Sequence, residues 1–208
     1  MATLKIYQDS FPMNPRTEWD NLGTIAYKHR NYTLGEEEMS DHPIEWLMHK
    51  LNRTRTRYGH FDDVLVKLEA EFFEKYIGHK VYLYDHSGIS VSTKPFSCRW
   101  DSGQVGYIYV SKEKVREEYG VKRISPELRT KILSYLDGEV ETFNQYLNND
   151  VYGFTIEDEE GNVLESVGGF YGDDFAENGM VGYIDSELLG MSETELIEHI
   201  KQVDVEYA

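Results

Sequence analysis

Between residues 61 and 85 the hydrophobic period of the chain changes, and that change excludes more folds than any other feature. In "FDDVLVKLEAEFFEKYIG", Val64, Leu65, Leu68, Phe72 and Phe73 recur at the spacing of one helix face, with Gly78 expected to stop the helix. The next segments, "KVYLYDH", "ISVST" and "QVGYIYVS", carry branched and aromatic residues in short runs broken by glycine-containing turns, which is the pattern of strands. A chain holding both periods back to back is neither a helical bundle nor an all-β barrel.

The same reading gives strands near residues 3–8, 24–29, 80–85, 104–110, 151–157 and 163–170, with "GMVGYID" (179–185) as one more. Helices are expected near 43–52, 61–76, 111–120, 126–147 and 192–203. Their ends carry the usual signals: Asp41 as a cap before Pro43, Ser111 as cap and Gly120 as stop, Ser125-Pro126 as an opening pair, and Ser192 with Glu195 as a capping box. Gly138 is expected to weaken the middle of the 126–147 helix. Strands and helices do not alternate regularly, so the expected fold class is α+β, a mixed or mainly antiparallel sheet with helices packed on one face.

Charge divides the chain more sharply than any linker does. The net charge is −17, from 38 Asp+Glu and 21 Lys+Arg. Residues 1–149 hold 22 acids and 20 bases, whereas residues 150–208 hold 16 acids and one base, Lys201. The expected organisation is a near-neutral α+β core over 1–149, with a strongly acidic hairpin-and-helix segment over 150–208 packed on it. Glu157, Asp158, Glu159 and Glu160 crowd the tip of that hairpin, whose turn is placed at Glu160-Gly161-Asn162; Asp173, Asp174 and Glu177 crowd the next turn. Crowded like charges repel unless a cation or a basic partner offsets them. These seven residues are therefore the candidate partner-binding set. The segment repels nucleic acid directly and suits a basic surface that itself holds nucleic acid.

A second candidate site comes from a repeated turn. Trp19-Asp20, Tyr84-Asp85 and Trp100-Asp101 each put an aromatic residue before an aspartate and a nearby glycine. The favoured reading is local: the aspartate bonds backbone amides of its own turn, and the aromatic residue anchors the strand end in the core. The competing reading gathers Asp20, Asp85 and Asp101, with His86 as an extra ligand, around a divalent cation such as Mg²⁺, Mn²⁺ or Ca²⁺. His86 between Asp85 and Ser87 is also a candidate general base. The single cysteine, Cys98, excludes an internal disulfide and a zinc site built on several thiolates. No phosphate-binding glycine motif is present. The basic stretch with Lys50, Arg53, Arg55 and Arg57 is expected to complement a helix C-terminus. No apolar run is long enough to cross a membrane, and the first residues do not read as a signal peptide, so a cytoplasmic location is expected.

The strings "PRTEWDNLGT", "VYLYDHSGIS", "FSCRWDSGQVGYIYVSKEK" and "EEYGVKRIS", within about residues 5–175, resemble a family of small, mostly uncharacterised bacteriophage accessory proteins. The resemblance implies a setting, the cytoplasm of a bacterial host, and a role in host takeover or defence evasion. It carries no residue roles. With the charge pattern, the expected function is a phage-encoded anti-defence protein. It would bind and inhibit a bacterial nucleic-acid-targeting defence protein, of CRISPR or restriction type, through an acidic surface that mimics nucleic acid. The alternative is a metal-assisted enzyme or a protein sequestering a small ligand or nucleotide through the aspartate turns. A structural part of a virus particle ranks below both, because the chain has neither coiled-coil heptads nor fibre repeats.

Overall fold

The computed structural model describes residues 2–39, 42–54 and 60–207. The fold is α+β with mostly antiparallel pairing, and its strands form two sheets rather than one. The first sheet has the order β8-β7-β1-β9, from Val163–Tyr171, Val151–Glu157, Thr3–Gln8 and Val205–Glu206. The second has the order β3-β2-β6-β4-β5, from Glu37–Glu38, Thr24–Tyr27, Ser102–Ser111, Tyr76–Asp85 and Ile89–Ser92. The chain accordingly divides into two compact units, Met1–Pro15 with Thr142–Ala208, and Arg16–Glu141. This differs from a division at residue 149 because β1 pairs along its whole length with β7, Thr3 facing Glu157 and Gln8 facing Tyr152. The first strand of the chain thus belongs to the acidic unit.

In that unit the sheet buries one row of side chains. Leu4 and Ile6 from β1 and Phe154 and Ile156 from β7 pack with Phe170, Met180, Leu196 and Ile200. The last two lie on a helix, Glu193–Ile200, that starts with the expected capping box: the Glu195 carboxylate accepts from the Ser192 amide at 2.8 Å. The strand expected at "GMVGYID" is absent. Met180–Tyr183 is instead a 3₁₀ turn opened by Gly179 at φ 93°, and the buried Met180 and Ile184 anchor it in this core. Two apolar anchors four residues apart, after a left-handed glycine, suit a turn better than a period of two.

In the second unit, helix α2 (Pro43–Lys50) precedes α3 (Phe61–Lys75). The cap expected at Asp41, and Arg55 and Arg57 of the basic stretch, lie outside the described residues. Gly78 does not stop α3. The helix ends at Lys75, Tyr76 is already extended, and Gly78 lies inside β4. There a methyl group would collide with the Ile108 carbonyl oxygen, so the glycine permits the close approach of β6. Residues Gly106 to Val110 of β6 are all buried, which requires cover on both faces of the sheet. On one face, α2 and α3 contribute Trp46, Leu47, Leu68 and Phe72, packed with Ala26, Tyr107 and Tyr109. The Trp46 and Tyr107 rings stack with centroids 5.5 Å apart. The other face meets α5 (Pro126–Leu147): the His79 ring contacts the Leu133 carbonyl oxygen, and Leu136 reaches the side of Gly23 beside Ile108. Helices therefore stand on both faces of this sheet, where the sequence suggests one. Gly138 leaves α5 unbroken.

Two acids inside this unit exist to satisfy the sheet's tyrosines. Glu69, 6 % exposed, accepts from the Tyr107 hydroxyl at 2.9 Å and pairs with Lys80 at 2.7 Å. Glu37 accepts from the Tyr109 hydroxyl at 2.7 Å and the Trp46 indole at 2.9 Å, and pairs with Lys50 at 2.8 Å. Burial acts to raise the Glu37 carboxyl, but the donors Lys50, Tyr109 and Trp46 together outweigh it and hold the group below its ordinary 4.5. A carboxyl depressed on folding stabilises above its unfolded value and loses that contribution as pH falls through the folded one. Stability should therefore drop on acidification from about pH 5 downward. Glu37→Gln should flatten that part of the profile, as read by thermal unfolding at a series of pH values.

The first turn of the unit is fixed by a buried charge. Arg16, on the short helix α1 (Pro15–Glu18), has a side chain only 2 % exposed. It pairs with Glu139 of α5 at 2.9 Å and with Glu36 at 2.5 Å, and it donates to the Gly23 carbonyl at 2.8 Å. Glu139 also accepts from the Leu22 and Gly23 amides, at 2.7 and 3.1 Å. Removing one partner of such a pair leaves an uncompensated buried charge. Glu139→Ala should lower the unfolding free energy by about 3–5 kcal/mol, measured by urea denaturation.

Candidate functional site

The three aspartate turns do not meet. Asp85 and Asp101 lie side by side where β4 leaves and β6 enters the sheet: the Asp85 amide donates to the Asp101 carbonyl at 2.8 Å, and Tyr84 pairs with Ser102. Asp20 belongs to the opposite end of β6. The strand it leads into starts with Thr24 facing Tyr109, and Asp20 itself borders a cavity shared with Lys114 and Tyr119, beyond Ser111. The ten residues of β6 separate the two places, roughly 30 Å of extended chain. The three-carboxylate metal centre is thereby corrected: the geometry unites two of its members and excludes the third. Among the described residues no group of three or more His, Cys, Asp or Glu side chains is placed to hold a metal ion.

The local reading also needs correction. Neither Asp85 nor Asp101 accepts from its own turn amides. The Asp85 carboxylate accepts from the Tyr32 hydroxyl at 3.4 Å, and Asp101 faces His86 Nδ1 and Cys98 Sγ, each 3.5 Å from Oδ2. The β4–β5 turn is closed by backbone, His86 N–H to Gly88 O at 3.0 Å, with Ser87 left-handed at φ 59°. Two of the three aromatic residues do not anchor strand ends, Trp100 being 95 % exposed and Trp19 42 %, whereas Tyr84 is half-buried and packs on Phe96 with ring centroids 5.6 Å apart. The His86 ring lies between the Asp101 carboxylate and the Tyr84 ring, whose centroid is 6.0 Å away. The Cys98 thiol donates to that same carboxylate rather than to the imidazole, so the pair lacks the nucleophile–base contact that would activate sulfur. The His86 side chain is 63 % exposed, and its polar contact is with Asp101.

Of the seven acids of the candidate partner-binding set, Glu157 and Asp158 are half-buried and built into the sheet and its turn, and the other five are exposed. Glu157 pairs with Lys5 across the β1–β7 ladder at 2.7 Å. Asp158 closes the hairpin: its Oδ1 accepts from the Glu160 and Asn162 amides, both at 2.8 Å, and its Oδ2 from the Asn162 side chain at 2.8 Å. The Asn162 side chain first, then its backbone amide, hold the Asp158 carboxyl below its ordinary 3.8. Gly161 completes the turn at φ 83°. Glu159, Glu160, Asp173, Asp174 and Glu177 are exposed. Their field is felt nearby. Asp150 is raised above its ordinary 3.8 by burial first and by the like charge of Asp173, with a Tyr152 hydrogen bond acting against both.

The unit boundaries sharpen the charge pattern. Met1–Pro15 with Thr142–Ala208 carries 17 acids against two bases, Lys5 and Lys201, a net of −15; Arg16–Glu141 carries 21 against 19, a net of −2. Sequence reading missed the residues around Asp20, namely Lys114, Glu118, Tyr119 and Tyr135. The only signal for them was the four-residue spacing of Lys114 and Glu118, which puts both on one face of a helix.

No protein-family model matches the chain, and comparison with curated proteins and with solved structures likewise finds no match. Among the described residues no helix is long and apolar enough to cross a membrane.

The hairpin acids can be tested apart. Asp158→Ala should speed amide hydrogen exchange at Glu160 and Asn162 while the amides of β1 and β7 stay protected. Unchanged exchange at the turn would remove Asp158 from its closing role.

Proposed function

We propose that this chain is a phage-encoded, non-catalytic inhibitor. Its acidic unit occupies the Lys/Arg-rich nucleic-acid groove of a bacterial defence protein of CRISPR or restriction type. One observation carries the reading: almost the entire net charge, −15 of −17, falls in a compact unit with its own sheet and core. Acids spread over a whole surface serve solubility, whereas acids concentrated on one folded unit project a directed field. A basic groove would gain by relieving their mutual repulsion, and would release counterions much as it does on nucleic acid. The resemblance to bacteriophage proteins supplies the setting.

The charge-reversal test must spare Glu157 and Asp158, which tie β7 to β1 and close the hairpin turn. The informative variant reverses Glu159, Glu160, Asp173, Asp174 and Glu177 to lysine. Expressed in strains that each carry one CRISPR or restriction system, the natural chain should protect an infecting phage in at least one strain. The reversed chain should protect in none, with an unchanged circular-dichroism spectrum. With the target so found, association should weaken by about tenfold or more between roughly 50 and 200 mM salt. Protection in no strain, or equal protection by the reversed chain, would reject the proposal.

A further inference from the structure

The near-neutral unit holds a cavity of about 310 Å³ that the acidic surface does not involve. Its walls come from three elements: the loop Asp20–Asn21–Leu22, helix α4 (Lys112–Glu118) with Tyr119 at its end, and Tyr135 of α5. These walls are held in place. The Glu139 carboxylate takes the Leu22 and Gly23 amides, and Lys114 Nζ donates to the Asn21 carbonyl at 2.8 Å. The Ser111 hydroxyl accepts from the Lys114 amide and caps α4.

The lining offers three kinds of group. Tyr119 and Tyr135 present rings, and Tyr135 is 50 % exposed although it lies on an ordered helix. Asp20 and Glu118 present carboxylates that have no hydrogen bond or ion pair among the described residues. Lys114 keeps two hydrogens free after its bond to Asn21; Lys131, outside the lining, holds its Nζ over the Tyr119 ring, 5.7 Å from the centre. Rings accept a planar base by stacking, unpaired carboxylates accept from sugar hydroxyls, and ammonium groups pair with phosphate. The volume is near the lower bound for small-molecule sites, about 300 Å³, which suits a ligand the size of one nucleotide.

We propose that this cavity binds a nucleoside monophosphate, its base against Tyr135, its ribose hydroxyls on Asp20 or Glu118, and its phosphate on Lys114. The site lies entirely within Arg16–Glu141, so its failure would leave the reading of the acidic unit untouched, and the reverse. The test is calorimetric titration of the full chain with the 5′-monophosphates of adenosine, guanosine, cytidine and uridine, and with inorganic phosphate as a separate probe. At least one nucleotide should saturate at a concentration below about 1 mM, and Tyr135→Ala and Lys114→Met should each weaken it by roughly tenfold. Asp20→Asn, an exposed and near-isosteric change, should also weaken binding while leaving the unfolding midpoint unchanged, which separates lost recognition from lost fold. The proposal is overturned if none of the four binds, if the substitutions leave affinity unchanged, or if inorganic phosphate binds as tightly as the nucleotide.

Discussion

Much of the Arg16–Glu141 unit hangs on the buried pair of Arg16 and Glu139, which joins its first helix to its last across 123 positions of chain. A guanidinium and a carboxylate taken out of water lose several kcal/mol of hydration each, and their attraction compensates only when the remaining hydrogen-bonding capacity is used. Here most of it is used, Arg16 Nε being the exception among the described residues. Arg16 also takes Glu36 and the Gly23 carbonyl, while Glu139 takes two consecutive amides. One charge pair thus sets the path of the loop that carries Asp20, the approach of Gly23 to Leu136 and Ile108, and one wall of the cavity.

The same logic governs the sheet above it. Burying β6 on both faces brings Tyr107 and Tyr109 into the core, and each hydroxyl then needs an acceptor. Glu69 and Glu37 supply them, and each carboxylate is balanced in turn by a lysine, Lys80 and Lys50. Tyrosines that suggest an interface by composition are here partly a core feature. In the near-neutral unit 21 acids face 19 bases, whereas the acidic unit has two bases to set against 17 acids. That imbalance, with five acids of the candidate set exposed, is the observation on which the proposed function rests.

Local chemistry was legible in the sequence. The capping box at Ser192, the Ser111 cap, the Ser125-Pro126 opening and the hairpin turn at Gly161 all occur where residue type implied. So did the principal strands and the long helices, because hydrophobic period and caps act within four residues of chain. The failures share a cause as well. Gly78 looked like a helix stop, but its smallness serves a neighbouring strand that arrives from 30 residues downstream. "GMVGYID" looked like a strand, but its branched residues answer to a core assembled from β1, β7 and β8. Three similar aspartate turns looked like one site or one turn chemistry, and the sheet made them neither.

What this chain determined by itself was its α+β class, its element ends and the concentration of negative charge near its C-terminus, since each follows from composition or from neighbours along the backbone. Tertiary structure decided that β1 joins β7 and so belongs to the acidic unit, that Asp85 meets Asp101 while Asp20 lines a cavity with Lys114 and Glu118, and that α5 covers the second face of the larger sheet. Strand pairing and site assembly depend on which distant surfaces bury each other best. That choice is settled by apolar burial and hydrogen-bond satisfaction summed over the whole unit, and no short stretch of residues contains it.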